Sequence, residues 1–168
     1  AVTLRATAPA YTAWASLRLG LLAGWAAFSG TLYWTVDTMT TYGGLATPVA
    51  VGAAGLLVFY LALYVGAFAA LVGASARRFG VVGLWASPCY WVALEWARGW
   101  VGGGFPWVPL GSSQATVLPV AQLASVTGVY GLSWLVALVG TAAAVLALSR
   151  SAVERRRVIG VAVLLVAV

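Results

Sequence analysis

The sequence has no histidine and no lysine, a single cysteine and only three acidic residues among 168. Without His or Lys, neither a Cys/His pair nor a lysine-assisted carboxylate and cysteine set can form. Cys89 follows Pro88 inside an apolar segment, where we expect a buried, inert thiol, and it has no disulfide or metal-cluster partner in the sequence. No two of the three acidic residues, Asp37, Glu95 and Glu154, are spaced as a pair of acid and base catalysts would be. We therefore expect no catalytic centre, no cofactor and no metal site in this chain.

Charge of either sign is scarce. Charged residues make up 7% of the chain and hydrophobic residues 63%, whereas a soluble domain carries roughly 25% charged residues. A water-soluble fold cannot bury that much apolar surface, and helices satisfy their own backbone groups in lipid. The composition therefore predicts an all-α membrane protein, a polytopic transmembrane helical bundle.

Long apolar runs predict about five spans within one transmembrane helical domain, residues 1–168. The last run is about half the length a span needs, and we expect it to be truncated and the chain to be cut from a longer protein. The run 118–148 is too long for one crossing, and Gly128 and Gly131 are expected to divide it into a surface helix and a true span. The predicted spans are 19–36, 49–75, 81–99, 129–148 and 158–168, with an outward loop at 100–117.

All the positive charge, which gives a net charge of +6, is arginine, and apart from Arg98, which lies beside Glu95, it lies in alternate loops. Short cytoplasmic loops retain Arg, so the arginine-rich loops are predicted to face the cytoplasm and the others to face outward. Because the membrane topology already explains the excess of positive charge, we expect no nucleic-acid partner. The cytoplasmic residues are Arg5, Arg18, Arg77, Arg78, Arg150, Arg155, Arg156 and Arg157. Five tryptophans fall at the outward ends, as an interfacial belt would: Trp34, Trp96, Trp100, Trp107 and Trp134.

Glycines recur in the first span at spacings near four, at Gly20, Gly24 and Gly30. Small residues at such spacing allow helices to approach closely, so ordinary bundle packing is the favoured interpretation. We find no internal repeat of the kind expected in many transporters.

Glu95 and Arg98 are three residues apart on one helical face near the outward end of the third span. The simplest interpretation is that they neutralise one another at the interface and end the helix. The alternative is contact with a polar head group or an overlying domain, because ionisable residues in membrane segments are often functional.

The segment GGGFPW combines three glycines, which permit unusual backbone conformations, with Pro106, which restricts one. It places Phe105 and Trp107 where lipid tails or a substrate could touch them. The plainer interpretation is a membrane-surface turn anchored by its aromatic side chains.

Several segments together resemble the membrane part of the apolipoprotein N-acyltransferase family. EWARGW, GFPW, LGSSQ and LASVTGVYGLSWLVAL carry the most specific likeness, and TYGG with LRLGLLAGWAAFSGTLYW supports it. Ser112 departs from the family pattern, in which tyrosine usually precedes the serine of LGSSQ.

The resemblance implies a bacterial inner-membrane acyltransferase that moves an acyl chain from a phospholipid donor to the N-terminal S-diacylglyceryl cysteine of a lipoprotein acceptor. It implies a periplasmic nitrilase-like domain with a Glu, Lys and Cys set beyond this chain, so the chain alone is expected to be inactive. It also implies that Gly104, Phe105, Pro106 and Trp107 lie beneath that active site, with Trp107 near the entry for membrane lipid.

Two other classes of function compete with this interpretation. A small membrane transporter would place charged or polar groups near the bilayer midplane, whereas this chain keeps its charges at segment ends. A noncatalytic membrane scaffold would only assemble with a partner. The sequence that follows Val168 would discriminate among the three.

Overall fold

The computed structural model describes residues 12–148, together with residues 153, 156 and 158–160. Regular structure among these residues is entirely helical, and the predicted all-α fold is confirmed. The chain forms two compact units: an N-terminal unit, described from residue 12 to residue 73, and a C-terminal unit that begins at residue 74. Predicted features outside the described residues are Arg5, Arg150, Glu154, Arg155, Arg157 and most of the segment 158–168.

The N-terminal unit is built from helices whose ends are set by short polar and glycine-containing turns. The Thr12 hydroxyl accepts a hydrogen bond from the Ala15 amide at 3.2 Å and caps the first helix. After the second helix, Gly44 takes a φ of +63° and the Leu45 amide donates to the Met39 carbonyl at 3.1 Å. Glycine is suited to this left-handed position because it has no Cβ. The helices are α1 (Ala13–Thr31), α2 (Trp34–Thr41) and α3 (Thr47–Phe79), the last of which continues into the C-terminal unit.

Helices α1 and α3 pack closely within the N-terminal unit. A Cβ added to Gly20 would lie 2.6 Å from both the Ala69 Cβ and the Val65 carbonyl oxygen, and one added to Gly24 would lie 2.8 Å from the Val65 Cβ. The expectation for these two glycines is therefore confirmed. For Gly30 it is wrong, because this residue is near the end of α1, where nothing lies within 4 Å of an added Cβ.

The C-terminal unit begins with a reversal of the chain after α3. Gly80 has a φ of +64°, and the Ser75 and Tyr90 hydroxyls share a 2.7 Å hydrogen bond. Fifteen residues of continuous helix would separate these positions by about 22 Å, so the chain must fold back between them. The elements that follow are a 3₁₀ helix (Gly80–Ala86), α4 (Ser87–Arg98), 3₁₀ turns at Val101–Gly103 and Leu110–Gln114, α5 (Leu118–Ala121) and α6 (Ala124–Leu148).

Helices α4 and α6 form the core of this unit. Ser87 and Thr141 share a buried 2.6 Å hydrogen bond, and Leu138 and Val145 are each 1% exposed. Hydrogen bonds between hydroxyl side chains of neighbouring helices are typical of helices that pack in lipid. Gly128, with a φ of +66°, breaks α6 where a division was predicted, whereas the helix continues through Gly131.

Within the part of the chain that the structure describes, two helical stretches are long and apolar enough to cross a membrane, Thr47–Arg98 and Ala124–Leu148. The first has 52 residues, far more than the roughly 20 that one crossing needs, and it contains the reversal at Gly80. Large apolar side chains lie on the outer surface, with Leu22 65% and Leu56 71% exposed. The chain is an α-helical membrane protein, and its five-span arrangement stays a prediction.

Candidate functional site

A glycine-rich loop follows α4 and has a backbone that few other residues could adopt. Gly102, Gly103 and Gly104 have φ angles of +65°, +93° and +77°. A Cβ on Gly104 would also collide with the carbonyl oxygen of Gly99. The loop closes back on the helix through the Phe105 amide, which donates to the Arg98 carbonyl at 2.9 Å. Glycine is thus required at Gly104 both by conformation and by space.

The loop presents its aromatic side chains at the surface. The rings of Phe105 and Trp107 lie 6.4 Å apart between centroids, at an interplanar angle of 33°. Trp107 is 57% exposed, Pro106 is exposed and Phe105 is half-buried. A second aromatic pair, Trp96 and Trp100, lies 6.3 Å apart at the end of α4. This end of the C-terminal unit therefore carries an aromatic, apolar surface.

Beneath that surface the two charged residues of α4 are almost completely buried. Their side chains are 4% exposed for Glu95 and 5% for Arg98, and Arg98 Nη2 lies 3.8 Å from Glu95 Oε1. Both groups bind the loop backbone. Arg98 Nη2 donates to the carbonyl oxygens of Trp107 at 3.2 Å and Val108 at 3.4 Å, and Glu95 Oε1 accepts from the Leu110 amide at 2.7 Å. The i, i+3 spacing indicated that the two side chains are neighbours, but it could not indicate these loop partners.

Gly111 and Ser133 were not singled out from the sequence, although they fix the far end of the loop. The Gly111 amide donates to the Ser133 Oγ at 2.8 Å, and Ser133 is fully buried. A Cβ on Gly111 would lie 2.5 Å from the Val129 carbonyl oxygen. The available signal was a serine within an otherwise apolar helix, since such a hydroxyl commonly bonds to a neighbouring element.

Cys89 is exposed on the surface of α4, so the expectation that it is buried is wrong. Pro88 lies in the first turn of α4 and points into the core, where it is buried. The next residue on a helix is rotated by about 100°, which carries the Cys89 side chain outward. Among the described residues there is no cluster of three or more His, Cys, Asp or Glu side chains that could hold a metal ion.

These features define an α-helical membrane domain with a buried charged pair beneath an aromatic loop. The family model described as "Apolipoprotein N-acyltransferase N-terminal domain" matches residues 1–142, and the chain belongs to this family.

Curated relatives support the same assignment. The chain is 47% identical to an apolipoprotein N-acyltransferase of Geobacter metallireducens over 123 residues, which cover 73% of the chain and 23% of the relative. It is 41% identical to that of Shewanella oneidensis over 125 residues, 72% of the chain and 24% of the relative. For Methylococcus capsulatus the identity is 37% over 153 residues, 88% of the chain and 29% of the relative. The matched part of the chain thus spans less than a third of each of these relatives.

Proposed function

We propose that the full-length protein transfers an acyl chain from a phospholipid to the N-terminal S-diacylglyceryl cysteine of lipoproteins. Family membership and the names of the relatives support acyl transfer to apolipoproteins. The likeness in EWARGW, GFPW and LGSSQ supports the finer statement about donor and acceptor. The site of action would be the bacterial inner membrane, on its periplasmic side.

We propose that the membrane domain and the catalytic domain of that protein have different roles. This chain contains no Lys and no His that could activate a nucleophile. The family resemblance implies that the nucleophile and its activating groups would belong to a nitrilase-like domain with a Glu, Lys and Cys set. That domain would form a thioester with the acyl chain, and the membrane domain would admit both lipid substrates sideways from the outer leaflet. The apolar, aromatic surface of the membrane domain would also exclude water from that thioester.

Within this domain we propose that Gly104, Phe105, Pro106 and Trp107 line the entry for the acyl donor. The observation that carries this proposal is Trp107, which is 57% exposed as a residue while its own carbonyl is held by buried Arg98. An exposed aromatic ring on a firmly held backbone suits a contact with a lipid chain, because its position does not depend on the lipid being present.

The test compares two exposed tryptophans of the same surface in the full-length enzyme. We expect Trp107→Ala to reduce thioester formation and lipopeptide acylation by roughly tenfold or more, because an entry residue has no substitute. Trp100→Ala removes the ring of a residue that is 72% exposed and should cost little, since interfacial anchoring is shared among many aromatic residues. Both rates would be measured in membranes and normalised to folded protein. If Trp107→Ala loses activity only in proportion to its folded yield, Trp107 is an anchor and not an entry residue.

The isolated domain is expected to transfer no acyl groups, because neither Lys nor His is present to activate Cys89. Purified domain would be mixed with phospholipid and a diacylglyceryl lipopeptide, and the products would be analysed by mass spectrometry. Triacylated lipopeptide formed by the wild-type domain would contradict the assignment of the chemistry to another domain, whether or not the Cys89→Ala variant also forms it.

A further inference from the structure

The buried pair of α4 is not arranged in the way that would best neutralise two charges. Arg98 Nη2 and Glu95 Oε1 are 3.8 Å apart, longer than a hydrogen bond between charged groups, which is about 2.8 Å. Glu95 Oε2 is buried and has no hydrogen-bond partner among the described residues. Removing two charged groups from water is unfavourable, and only good geometry between them offsets the loss of their hydration. Mutual neutralisation is therefore an incomplete explanation for placing both side chains here.

The polar atoms are directed instead at a short stretch of loop backbone. Arg98 donates to the carbonyl oxygens of Trp107 and Val108, and Glu95 accepts from the Leu110 amide at 2.7 Å. Val108 has a φ of +54°, a left-handed conformation that is unfavourable for a residue with a Cβ. Such strain persists only where surrounding groups hold the backbone, and it is common where position matters to function.

We propose that Glu95 and Arg98 are positioning residues for acyl-donor binding, which fix the loop backbone from Trp107 to Leu110 and so hold the Trp107 ring at the lipid-exposed surface. This inference rests on the proposed function and goes beyond a pair that merely ends a helix. The two residues touch no substrate, and their effect on the reaction passes entirely through Trp107. Donor affinity should therefore depend on them more strongly than the chemical step does.

The experiment is a double-mutant cycle in the full-length enzyme, with phospholipid and lipopeptide in detergent micelles. Arg98→Gln should raise the KM for phospholipid by roughly tenfold, because the ring that contacts the donor is no longer held in position, and should change kcat by less than about threefold. Arg98→Gln/Trp107→Ala should be no worse than Trp107→Ala, because the ring through which Arg98 acts is already absent. Arg78→Gln, which alters an exposed arginine after the second predicted span, should behave as wild type.

Glu95 offers a conservative variant that separates geometry from charge. The side-chain carbonyl of Glu95→Gln can still accept from the Leu110 amide, whereas Glu95→Ala cannot. We expect Glu95→Gln to retain a lower KM for phospholipid than Glu95→Ala. If Arg98→Gln does not accumulate as folded protein, the cycle is run with Glu95→Gln/Arg98→Gln, which leaves no unpaired charge and should show the same rise in KM.

The outcomes separate this inference from the proposed function. If the effects of Arg98→Gln and Trp107→Ala on KM multiply in the double variant, or if Arg98→Gln lowers kcat and leaves KM unchanged, Arg98 does not act through Trp107. Either result would overturn only the positioning role. If the wild-type enzyme transfers no acyl chain from phospholipid, the proposed function fails and the positioning role fails with it.

Discussion

At Gly111 the loop after α4 meets the backbone of α6. The Gly111 amide donates to the Ser133 hydroxyl, and an added Cβ would lie 2.8 Å from both the Leu132 Cβ and the Ser133 nitrogen. These two atoms and the Val129 carbonyl oxygen, 2.5 Å from the added Cβ, belong to the α6 backbone or are attached directly to it, so they cannot rotate away as the end of a flexible side chain would. Gly111 therefore fixes the distance between the aromatic loop and the core of the C-terminal unit.

We predict that Gly111→Ala destabilises the protein by about 1–3 kcal/mol, the usual cost of overpacking. Gly140→Ala is the matched control, because nothing lies within 4 Å of a Cβ at Gly140 and alanine is favoured over glycine in a helix by about 0.5–1 kcal/mol. Thermal unfolding in detergent would be followed by circular dichroism for both variants. A Gly111→Ala protein as stable as Gly140→Ala would show that the loop can move away from α6 without cost.

The individual elements differ in how far they could be predicted. Glycine marked the break at Gly128, since this break depends on the residue's own conformational freedom. The partners of Gly20 and Gly24 could not be predicted, because they lie 38 to 49 residues later in α3. The same reason explains the misjudged Gly30: spacing identifies a face that can pack, but only the fold decides where the packing ends.

At the level of helix pairs, we predict that Gly24→Leu separates α1 from α3 and lowers the thermal stability of the protein. The added side chain would start 2.8 Å from the Val65 Cβ and 3.0 Å from the Ala62 Cα. Gly52→Leu, on an exposed position of α3 with nothing within 4 Å of an added Cβ, should change stability by less than about 0.5 kcal/mol. Equal melting temperatures for the two variants would contradict the close α1 and α3 packing.

Across the whole molecule, composition was sufficient to predict an all-α membrane protein, because almost no charge is available to solvate a surface. The aromatic loop was likewise predicted from GGGFPW as an irregular segment. The hydrogen bonds beneath the loop could not be predicted, since Glu95 and Arg98 bind backbone atoms 9 to 15 residues further along the chain. Backbone groups carry no sequence signature, so such partners become apparent only when the loop is folded.

The orientation of the molecule gives the last prediction, which follows from the distribution of arginine. Arg77 and Arg78 close α3 and should keep that end in the cytoplasm, whereas the LGSSQ turn, in an outward loop without arginine, should face the periplasm. Single cysteines would be introduced as Phe79→Cys and Ser113→Cys in a Cys89→Ala background of this domain. Both sites are exposed, so accessibility does not favour either one.

An impermeant thiol reagent applied to intact spheroplasts should label Ser113→Cys, and should label Phe79→Cys only after the membrane is opened. Lysed spheroplasts control for reactivity, because both cysteines should then react. The opposite pattern would place the aromatic loop on the cytoplasmic side. It would also contradict entry of the acyl donor from the outer leaflet, since Phe105 and Trp107 lie on the same outward loop as Ser113 and could not then contact lipid there.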